Sequence, residues 1–526
     1  MIKNKNLIYI VFIIIYLIFG TYLSITNGIT SDESLEQLNW KENLSGIQNL
    51  LKYGNYDEFL KYQDKYHGIA FHYISQPIQL LTYKFISNLN EVSLSGAYLI
   101  SKHSVVFILF FISGIFFYLL SYKLTNNKLF SLTSSSIYLL YPYLFGHAQF
   151  NLKDIPFLSL WLISTYFFLT TIEAIFNEKS IDYKKIIFIS FLTSFLISIR
   201  ILGVVIFIQY LISLVILFNI KKINLFDFIK TYYKKFLLFI LFLSLLTYIM
   251  NPVLWLNPLE LINSIKWSAN YFNNICTLTL GDCMSSLSLP SSYYFIWLFF
   301  KLPILILLGI TLLPFVEKNI FAKKVTSIYY GTLLFSSISI IFIFILLRIN
   351  IYDEIRHVMF LLPMIFLVSL VNIFYFNKKF FYSLAPIVII FFVLENASLK
   401  PYQYTWLNSF AKFTDIKKNF EIDYWGVSGM NLQKKVNEYV NKNSISKDIC
   451  IYGDEFAKDY LITKGFTCFK RYQQLDSAKI RPVIAYKNLR NAKRSDPRDC
   501  RLIWDEIYRY TFYNKDISVG TLWWCY

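Results

Sequence analysis

Apolar runs of about 17–22 residues recur through the first three quarters of the chain, and each is long enough to cross a hydrocarbon core roughly 30 Å thick. Hydrophobic residues make up 56% of the 526 positions and charged residues only 16%. A soluble domain carries charge at about a quarter of its positions. The sequence therefore predicts a polytopic α-helical membrane protein.

About eleven transmembrane helices are expected. The predicted spans are residues 7–23, 99–121, 129–146, 155–176, 186–199, 202–219, 236–250, 293–314, 326–347, 357–374 and 380–395. The first run has a basic lead and no small-residue cleavage site after it, so we interpret it as a retained signal anchor. The fifth and sixth runs are hard to separate, and a different count there would invert the orientation of every later span.

Lysine placement predicts the orientation. With the N-terminus in the cytoplasm, the inside segments are "MIKNKN", "YKLTNNK", "NEKSIDYKK", "NIKKINLFDFIKTYYKK", "VEKNIFAKK" and "NKK". Nearly every lysine that flanks a helix end lies in this set, which is the positive-inside bias. The net charge of +18 therefore follows the lipid bilayer and the overall composition, and a nucleic-acid partner is not expected.

The cysteines agree with this orientation. All six fall in segments predicted outside, and they are Cys276, Cys283, Cys450, Cys468, Cys500 and Cys525. An even set confined to one side is typical of an oxidising compartment. The first two could close the short "CTLTLGDC" loop, whereas the pairing of the other four is open. We expect a multi-pass protein of the inner cell membrane with its C-terminal region outside.

Two regions are expected. Residues 1–395 form the transmembrane region, with outer loops at 24–98 and 251–292, and the first loop is expected to hold amphipathic helices that lie partly on the membrane. From residue 396 the hydropathy falls and the charge density rises. Residues 396–526 are predicted to form a small extracytoplasmic α+β domain, with a helix near "LQKKVNEYVNK" and strands in "KDICIYG", "PVIAYKN" and "VGTLWWCY".

Polar side chains concentrate at the predicted outer surface. Asp32 and Glu33 follow the first span almost at once, and Asp154 opens the fourth span shortly after His147 and Lys153. Adjacent carboxylates suit a general base or a cation ligand. The alternative is that Asp32 and Asp154 are only helix N-caps. We expect His147 and Lys153 to line the mouth of a cavity with these carboxylates.

Arginine is rare in the transmembrane region. Residues 1–395 contain only Arg200, Arg348 and Arg356, each at the outer edge of a predicted span. A guanidinium group matches phosphate oxygens with a planar fork of donors. The alternative is snorkelling, or pairing with Asp353 and Glu354. We favour that alternative for Arg348 and a lipid-phosphate ligand for the other two.

The segment "MNPVLWLNPLELI", residues 250–262, leaves the membrane through two Asn-Pro pairs. Proline ends the helix there and stiffens the exit. Trp255 is expected to anchor the chain at the interface, and the alternative is a cavity position in which its ring stacks on a sugar.

Several of these segments together resemble the bacterial branch of the GT-C glycosyltransferases, which use polyprenyl-phosphate sugars and include protein O-mannosyltransferases and the aminoarabinose transferase of lipid A. The matching segments are "SDES", "HAQFNLKDIPF", "SIRILGV", "NPVLWLNPLE", "RHVMFLLP" and "KPYQYTWLNSF…FEIDYWGVSG". They occur in the family's order over about four fifths of the chain. The β-trefoil insertion of eukaryotic protein mannosyltransferases is missing from the sequence, so that route to a protein acceptor is unsupported.

The resemblance implies roles for the acidic residues. Asp32 matches the first-loop catalytic base, Glu33 matches its neighbour, and Asp154 matches the second acidic position near the active site. Some relatives bind a divalent cation beside the first carboxylate and others need none. The resemblance thus leaves a metal open, with Asp32 as the ligand if one binds.

The resemblance also implies that Arg200 and Arg356, with His357 assisting, bind the donor phosphate. The expected activity is transfer of a sugar from a polyprenyl-phosphate donor to a glycan, lipid or protein acceptor on the outer face, with inversion. The first alternative is a transporter or flippase of lipid-linked sugars, which would place charges near mid-helix and show broken helices in matching halves. The second is a non-catalytic scaffold, which leaves the arginine placement unexplained.

Overall fold

The computed structural model describes residues 2–269, 274–453, 458–477, 482–490, 497–513 and 515–526. The α-helices of the first half are α1 (Ile2–Ile25), α2 (Glu33–Tyr53), α3 (Asp57–Lys61), α4 (Ala70–Asn90), α5 (Leu94–Ile100), α6 (His103–Thr125), α7 (Lys128–Leu140), α8 (Pro142–His147), α9 (Asp154–Phe176), α10 (Tyr183–Ile199), α11 (Ile206–Lys221), α12 (Leu225–Met250) and α13 (Glu260–Ala269). Those of the second half are α14 (Ser292–Lys301), α15 (Ile304–Thr311), α16 (Leu313–Phe321), α17 (Lys324–Leu346), α18 (Leu362–Phe376), α19 (Lys378–Ser398), α20 (Ile416–Asn419), α21 (Ser428–Lys442) and α22 (Asp459–Thr463).

The strands and short 3₁₀ helices lie mostly outside the bundle. The strands are β1 (Cys276–Thr279), β2 (Asp282–Ser285), β3 (Ile451–Gly453), β4 (Phe469–Arg471), β5 (Val483–Asn488), β6 (Cys500–Tyr508) and β7 (Ile517–Cys525). The 3₁₀ helices are Ile201–Val205, Pro252–Leu254, Arg356–Leu361, Gln403–Thr405, Ala411–Phe413 and Tyr472–Ser477.

The predicted fold class, a polytopic helical membrane protein with a C-terminal sheet, is confirmed. In the described part of the chain seven helices are long and apolar enough to cross a membrane, and an eighth crossing results if α14 and α15, bent by 119°, count as one. Two of the eleven predicted spans are interrupted. The run 129–146 breaks at Tyr141, before Pro142, and the run 293–314 bends where Pro303 follows Leu302. Proline disfavours helical geometry in the residue before it, which explains both breaks.

The helices run up and down, so their connections gather at two poles. At one pole, the lysine-bearing turns are joined by Lys123 to Glu173 at 2.8 Å and by Lys221 to Glu178 at 2.7 Å. The opposite pole carries helices α2 to α5, the segment after α12, and the C-terminal sheet. We call it the cysteine pole, because all three disulfides lie there.

The disulfides cross-link segments of the cysteine pole. Cys276 is bonded to Cys283 across the β1–β2 hairpin, Cys450 to Cys468, and Cys500 to Cys525. The second bond joins the segments that enter the parallel strands β3 and β4, and the third joins the antiparallel strands β6 and β7.

The C-terminal region is a five-stranded sheet of order β4-β3-β5-β7-β6. Strands β4, β3 and β5 are parallel, and β7 is antiparallel to both β5 and β6. Helix α21 packs on one face through Leu432, Val436 and Val440, in the same apolar cluster as Ile86 and Ile100 of the first outer loop. The C-terminal region therefore shares one apolar cluster with the helices that follow α1.

The segment between α19 and α21 joins the sheet to the bundle. Tyr404 and Trp406 are fully buried in the core that the bundle helices share. Gly146 of α8 lies so close to the backbone of Tyr404 that a Cβ at this position would collide with it. This close approach places residues 420–427 directly above the cavity described next.

Candidate functional site

A cavity of about 590 Å³ lies at the cysteine pole, between the start of α2, the segment before α9, the end of α10 and the loop before residue 356. Seven charged side chains in its lining are Asp32, Glu33, Glu36, Lys153, Asp154, Arg200 and Arg356. All of these except Glu36 were predicted as site residues, so the structure brings together six predicted residues from distant parts of the sequence.

A second cavity, of about 640 Å³, adjoins the first. His67, Lys153, Arg200 and Tyr352 line both, so they form a shared wall. The second cavity also has an apolar side, to which Leu202 contributes. A ligand with an anionic head and an apolar tail would find cations on the shared wall and apolar surface beyond it.

Asp32 faces the first cavity. It occupies the N-cap position of α2, but its side chain makes no capping hydrogen bond, so the carboxylate is not engaged by the helix end. Its Oδ2 accepts a hydrogen bond from Arg356 Nη1 at 3.3 Å, and the side chain is 44% exposed. Burial raises the pKa of Asp32, Arg356 opposes the rise, and Asp353 and Glu36 add to it. The carboxylate is accessible and more basic than an ordinary aspartate.

Glu33 does not form a carboxylate pair with Asp32. Its Oε1 accepts hydrogen bonds from the backbone N and the Oγ1 of Thr30, at 2.7 and 2.9 Å. Its Oε2 lies 3.0 Å from His103 Nε2, and the side chain is 1% exposed. Such a bond back to the preceding turn is typical of helix-start capping. These contacts hold Glu33 in place at the start of α2, where it lines the first cavity beside Asp32.

Asn151, rather than Asp154, caps α9. Its Oδ1 accepts a hydrogen bond from the backbone N of Asp154 at 2.8 Å, and its Nδ2 donates to Asp154 Oδ2 at 2.9 Å. Asp154 Oδ1 lies 2.5 Å from Arg200 Nη1. The carboxylate of Asp154 is thus free of the capping role that sequence reasoning left open, and it orients Arg200 at the shared wall.

A triad that sequence reasoning missed stands beside this pair. Lys153 Nζ donates to Glu36 Oε1 at 2.8 Å and to His67 Nδ1 at 2.9 Å. Burial alone would raise the pKa of Glu36, but Lys153 and His67 hold it well below its ordinary value. Burial and Lys153 lower the pKa of His67. Since an ammonium can only donate, Nδ1 of His67 accepts the bond from Lys153 and Nε2 is the ring nitrogen left to donate. Because residues four apart share a helix face, the spacing of Asp32 and Glu36 was the available signal.

Arg356 is held between two rings. Its guanidinium carbon lies 4.8 Å from the ring centroids of both Tyr352 and Trp425. Its Nε is buried and makes no hydrogen bond within the described part of the chain. His357, expected to assist it, lines the second cavity and packs against Tyr352. Aromatic stacking fixes the guanidinium plane, so Arg356 is presented to the first cavity at a defined angle.

His147 lies behind the cavity and not at its mouth, which corrects the expectation. It is fully buried, and its Nδ1 accepts a hydrogen bond from Asn151 Nδ2 at 3.0 Å. Its Nε2 lies 3.2 Å from the hydroxyl of Tyr424. Burial is the main reason that the pKa of His147 is low. A neutral His147 thus supports Asn151, and through it Asp154.

Two further residues lie outside both cavities. Trp255 donates its Nε1 to the carbonyl of Tyr248 at 3.0 Å, at the end of α12. It therefore anchors the exit of that helix, and it lines neither of the two cavities. Arg348 is exposed at the end of α17, where we expected no ligand.

The carboxylates of the cavity do not form a cation site. Asp32 faces a guanidinium, as does Asp154, and Glu36 faces an ammonium. No group of three His, Cys, Asp or Glu side chains suited to a metal occurs in residues 2–269 or in the other described ranges. Divalent cations such as Mg²⁺ and Ca²⁺ take several oxygen ligands, and this donor set does not fit one.

Comparisons with known proteins give little beyond shape. No protein-family model matches the chain, and no curated protein matches it. Among solved structures, the chain is similar to ArnT from Cupriavidus metallidurans in the apo state, with 9% identity, 98% of both chains covered and a TM-score of 0.49. It is similar to the same protein bound to undecaprenyl phosphate with 10% identity, the same coverage and a TM-score of 0.47. Because both TM-scores are below 0.5, the function has to be argued from the site itself.

Proposed function

We propose that this protein is a glycosyltransferase that moves a sugar from a polyprenyl-phosphate donor to an acceptor hydroxyl. One observation carries the proposal. An accessible carboxylate, Asp32, shares a cavity with Lys153, Arg200 and Arg356, and two of these cations stand on the wall between this cavity and a second, partly apolar one. The motifs of the sequence favour the same activity.

The donor phosphate fits the shared wall. Lys153 and Arg200 would bind its oxygens, and the neutral His67 has its Nε2 buried without a hydrogen-bond partner within the described residues. The polyprenyl chain would leave along Leu202 in the second cavity. Guanidinium and ammonium groups bind phosphate through charge-assisted hydrogen bonds, and the sugar would then extend into the first cavity towards Asp32.

Asp32 would act as the general base. It takes the proton of the acceptor hydroxyl while the oxygen attacks the anomeric carbon, and the bond from that carbon to the phosphate oxygen breaks. The bonding electrons leave with the polyprenyl phosphate, whose new charge the cations stabilise. No general acid is required, in contrast to glycosidases, whose leaving group must be protonated. A single base opposite the leaving phosphate implies inversion.

We infer that the site faces the extracytoplasmic side of the inner membrane, with the N-terminus in the cytoplasm. The support is the shared pole: the site, the C-terminal sheet and the disulfides lie at one end of the bundle, and the lysine-rich turns lie at the other. Disulfides persist in oxidising compartments, and lysine-rich turns favour the cytoplasm. The acceptor, whether glycan, lipid or protein, is met on that outer side.

The test uses the purified protein in liposomes with radiolabelled polyprenyl-phosphate sugars and an envelope extract as the source of acceptor. D32N should abolish label transfer and leave donor binding in place, since Asn keeps the shape and loses the base. D57N is the matched control, because Asp57 is exposed on α3 in the same outer region. Wild-type protein that binds the donor without turnover would favour a flippase, and full activity of D32N would remove Asp32 from the role.

A further inference from the structure

Asp353 lies between two guanidinium groups that come from different parts of the chain. Its Oδ2 is 3.5 Å from Arg356 Nη1, and its Oδ1 forms an ion pair with Nη2 of Arg490 in the C-terminal region. The Asp353 side chain is only 6% exposed. A buried carboxylate needs partners, and here the bundle and the C-terminal region each supply one.

Arg356 Nη1 is contested by two carboxylates. It lies 3.3 Å from Asp32 and 3.5 Å from Asp353. Asp353 is the more buried of the two and, without another cation, would have the stronger need for the guanidinium. A second cation bound to Asp353 therefore determines how strongly Asp353 competes with Asp32 for the guanidinium of Arg356.

Arg490 is well placed to be that second cation. It follows β5, and both its Nε and its Nη2 lie 3.2 Å from Glu421 Oε1. Its carbonyl also accepts a hydrogen bond from the backbone N of Ile422 at 3.1 Å. The arginine is thus fixed to the segment that precedes Trp425, the residue whose ring stacks on Arg356.

The loop that carries Asp353 is held in an unfavourable conformation. Asp353 and Glu354 have φ angles of +55° and +66°, in the left-handed region that residues other than glycine rarely adopt. The backbone N of Glu354 donates to the Tyr293 hydroxyl at 3.0 Å, and Lys301 pairs with its carboxylate at 2.8 Å. Such strain persists only where surrounding contacts fix the loop, and the Arg490 pair is one of them.

We propose that Arg490 is a positioning residue of the catalytic site: by binding Asp353 it leaves Arg356 to hold Asp32. The C-terminal region then completes the site without contacting the substrate. The inference rests on the proposed role of Asp32 as the base, but its physical content, the effect of Arg490 on the protonation of Asp32, can be measured without any turnover.

The experiment follows Asp32 by carbodiimide labelling across pH, with peptide mass spectrometry as the readout, in liposomes that contain the full chain. The charged groups facing Asp32 are Arg356, Asp353 and Glu36, together with four further residues of the same cavity, namely Glu33, Lys153, Asp154 and Arg200. R490Q should move the labelling midpoint up by about one pH unit, since a charge at 3.3 Å in a water-screened setting is worth about that much. The acid limb of the transfer rate should move by the same amount.

The double variant gives the sharper test. In D353N, Asp353 no longer competes, so adding R490Q should move the Asp32 midpoint no further. R490K should recover only part of the effect, because an ammonium cannot reproduce the fork that spans two carboxylates. R509Q is the matched control, since Arg509 pairs with Asp516 on the exposed surface of the same region.

Folding is controlled separately. R490Q also removes the partner of the buried Glu421, but burial raises the pKa of Glu421 to about 8 even against Arg490, so Glu421 can become neutral. R490Q/E421Q should behave as R490Q does. The inference would be overturned if the Asp32 labelling midpoint in R490Q equalled that in R509Q. It would also be overturned if R490Q shifted the midpoint in the D353N background as much as it does in the wild-type background. A wild type that transfers no sugar would refute the proposed function and leave this midpoint test intact.

Discussion

Replacing one partner of the buried ion pair of Lys301 and Glu354 should destabilise the protein to an extent that depends on pH. The direction of that dependence follows from the pKa of Glu354. The two groups are fully buried and 2.8 Å apart, and removing one partner of such a pair typically costs about 3–5 kcal/mol. Burial raises the pKa of Glu354 to about 7, although Lys301 lowers it. In K301M that opposing effect is lost, so the pKa of Glu354 rises further.

The pH dependence separates K301M from wild type. A carboxyl whose folded pKa is raised binds a proton that the unfolded chain has lost, so stability falls as pH rises through the interval between the two pKa values. In wild type the loss of stability caused by deprotonation of Glu354 ends near pH 7, which is the folded pKa of that carboxyl. In K301M the folded pKa of Glu354 is higher, so the loss continues above pH 7. The unfolding free energy of K301M should therefore fall further below that of wild type by about 1.4 kcal/mol per pH unit above pH 7. Below about pH 6 the difference between the two proteins should stay constant.

The assay is unfolding by sodium dodecyl sulfate in mild detergent, followed by tryptophan fluorescence from pH 5.5 to 8.5. K301M/E354Q should lose the extra pH dependence, since no carboxyl is left to titrate. Equal destabilisation of K301M at pH 6 and pH 8 would refute the assignment of Glu354 as the titrating group.

Three further predictions concern the candidate site and one of the disulfides of the cysteine pole. R200Q should weaken binding of polyprenyl phosphate roughly 10- to 150-fold, the equivalent of one lost hydrogen bond to a charged group. R348Q changes an exposed arginine and should bind as wild type does. Equal losses of affinity in the two variants would contradict a site at Arg200. N151D should keep the cap of α9 but lower both the melting temperature and the transfer rate, because its buried carboxylate replaces the donor to Asp154 and His147 with a like charge; unchanged turnover would contradict that role. C500S/C525S should lower the free energy of unfolding by about 2–4 kcal/mol, and an unchanged free energy of unfolding would contradict a stabilising role for this bond.

The parts of this protein that follow from local sequence were predictable. Apolar run length predicts the spans, and lysine and cysteine placement predicts which residues share a pole. The rarity of arginine pointed to Arg200 and Arg356, both of which line the first cavity. These signals are local or compositional, so they need no knowledge of how the helices pack.

The contacts between distant segments were not predictable. Arg356 meets Asp32 across 324 residues, and Lys153 meets Glu36 across 117. Each depends on which helices lie side by side, which no local pattern encodes. Adjacency in the sequence also does not make a carboxylate pair: Glu33 lines the same cavity as Asp32, but with 3.6 residues per turn, successive side chains on a helix point about 100° apart.

The most direct test of the central claim is an experimental structure with a polyprenyl-phosphate sugar bound. The account predicts the phosphate within about 4 Å of Lys153 and Arg200, the usual reach of an ion pair, with the sugar in the first cavity and the Asp32 carboxylate facing the anomeric carbon from the side opposite the phosphate. A head group bound elsewhere on the molecule, or a sugar turned away from Asp32, would contradict it.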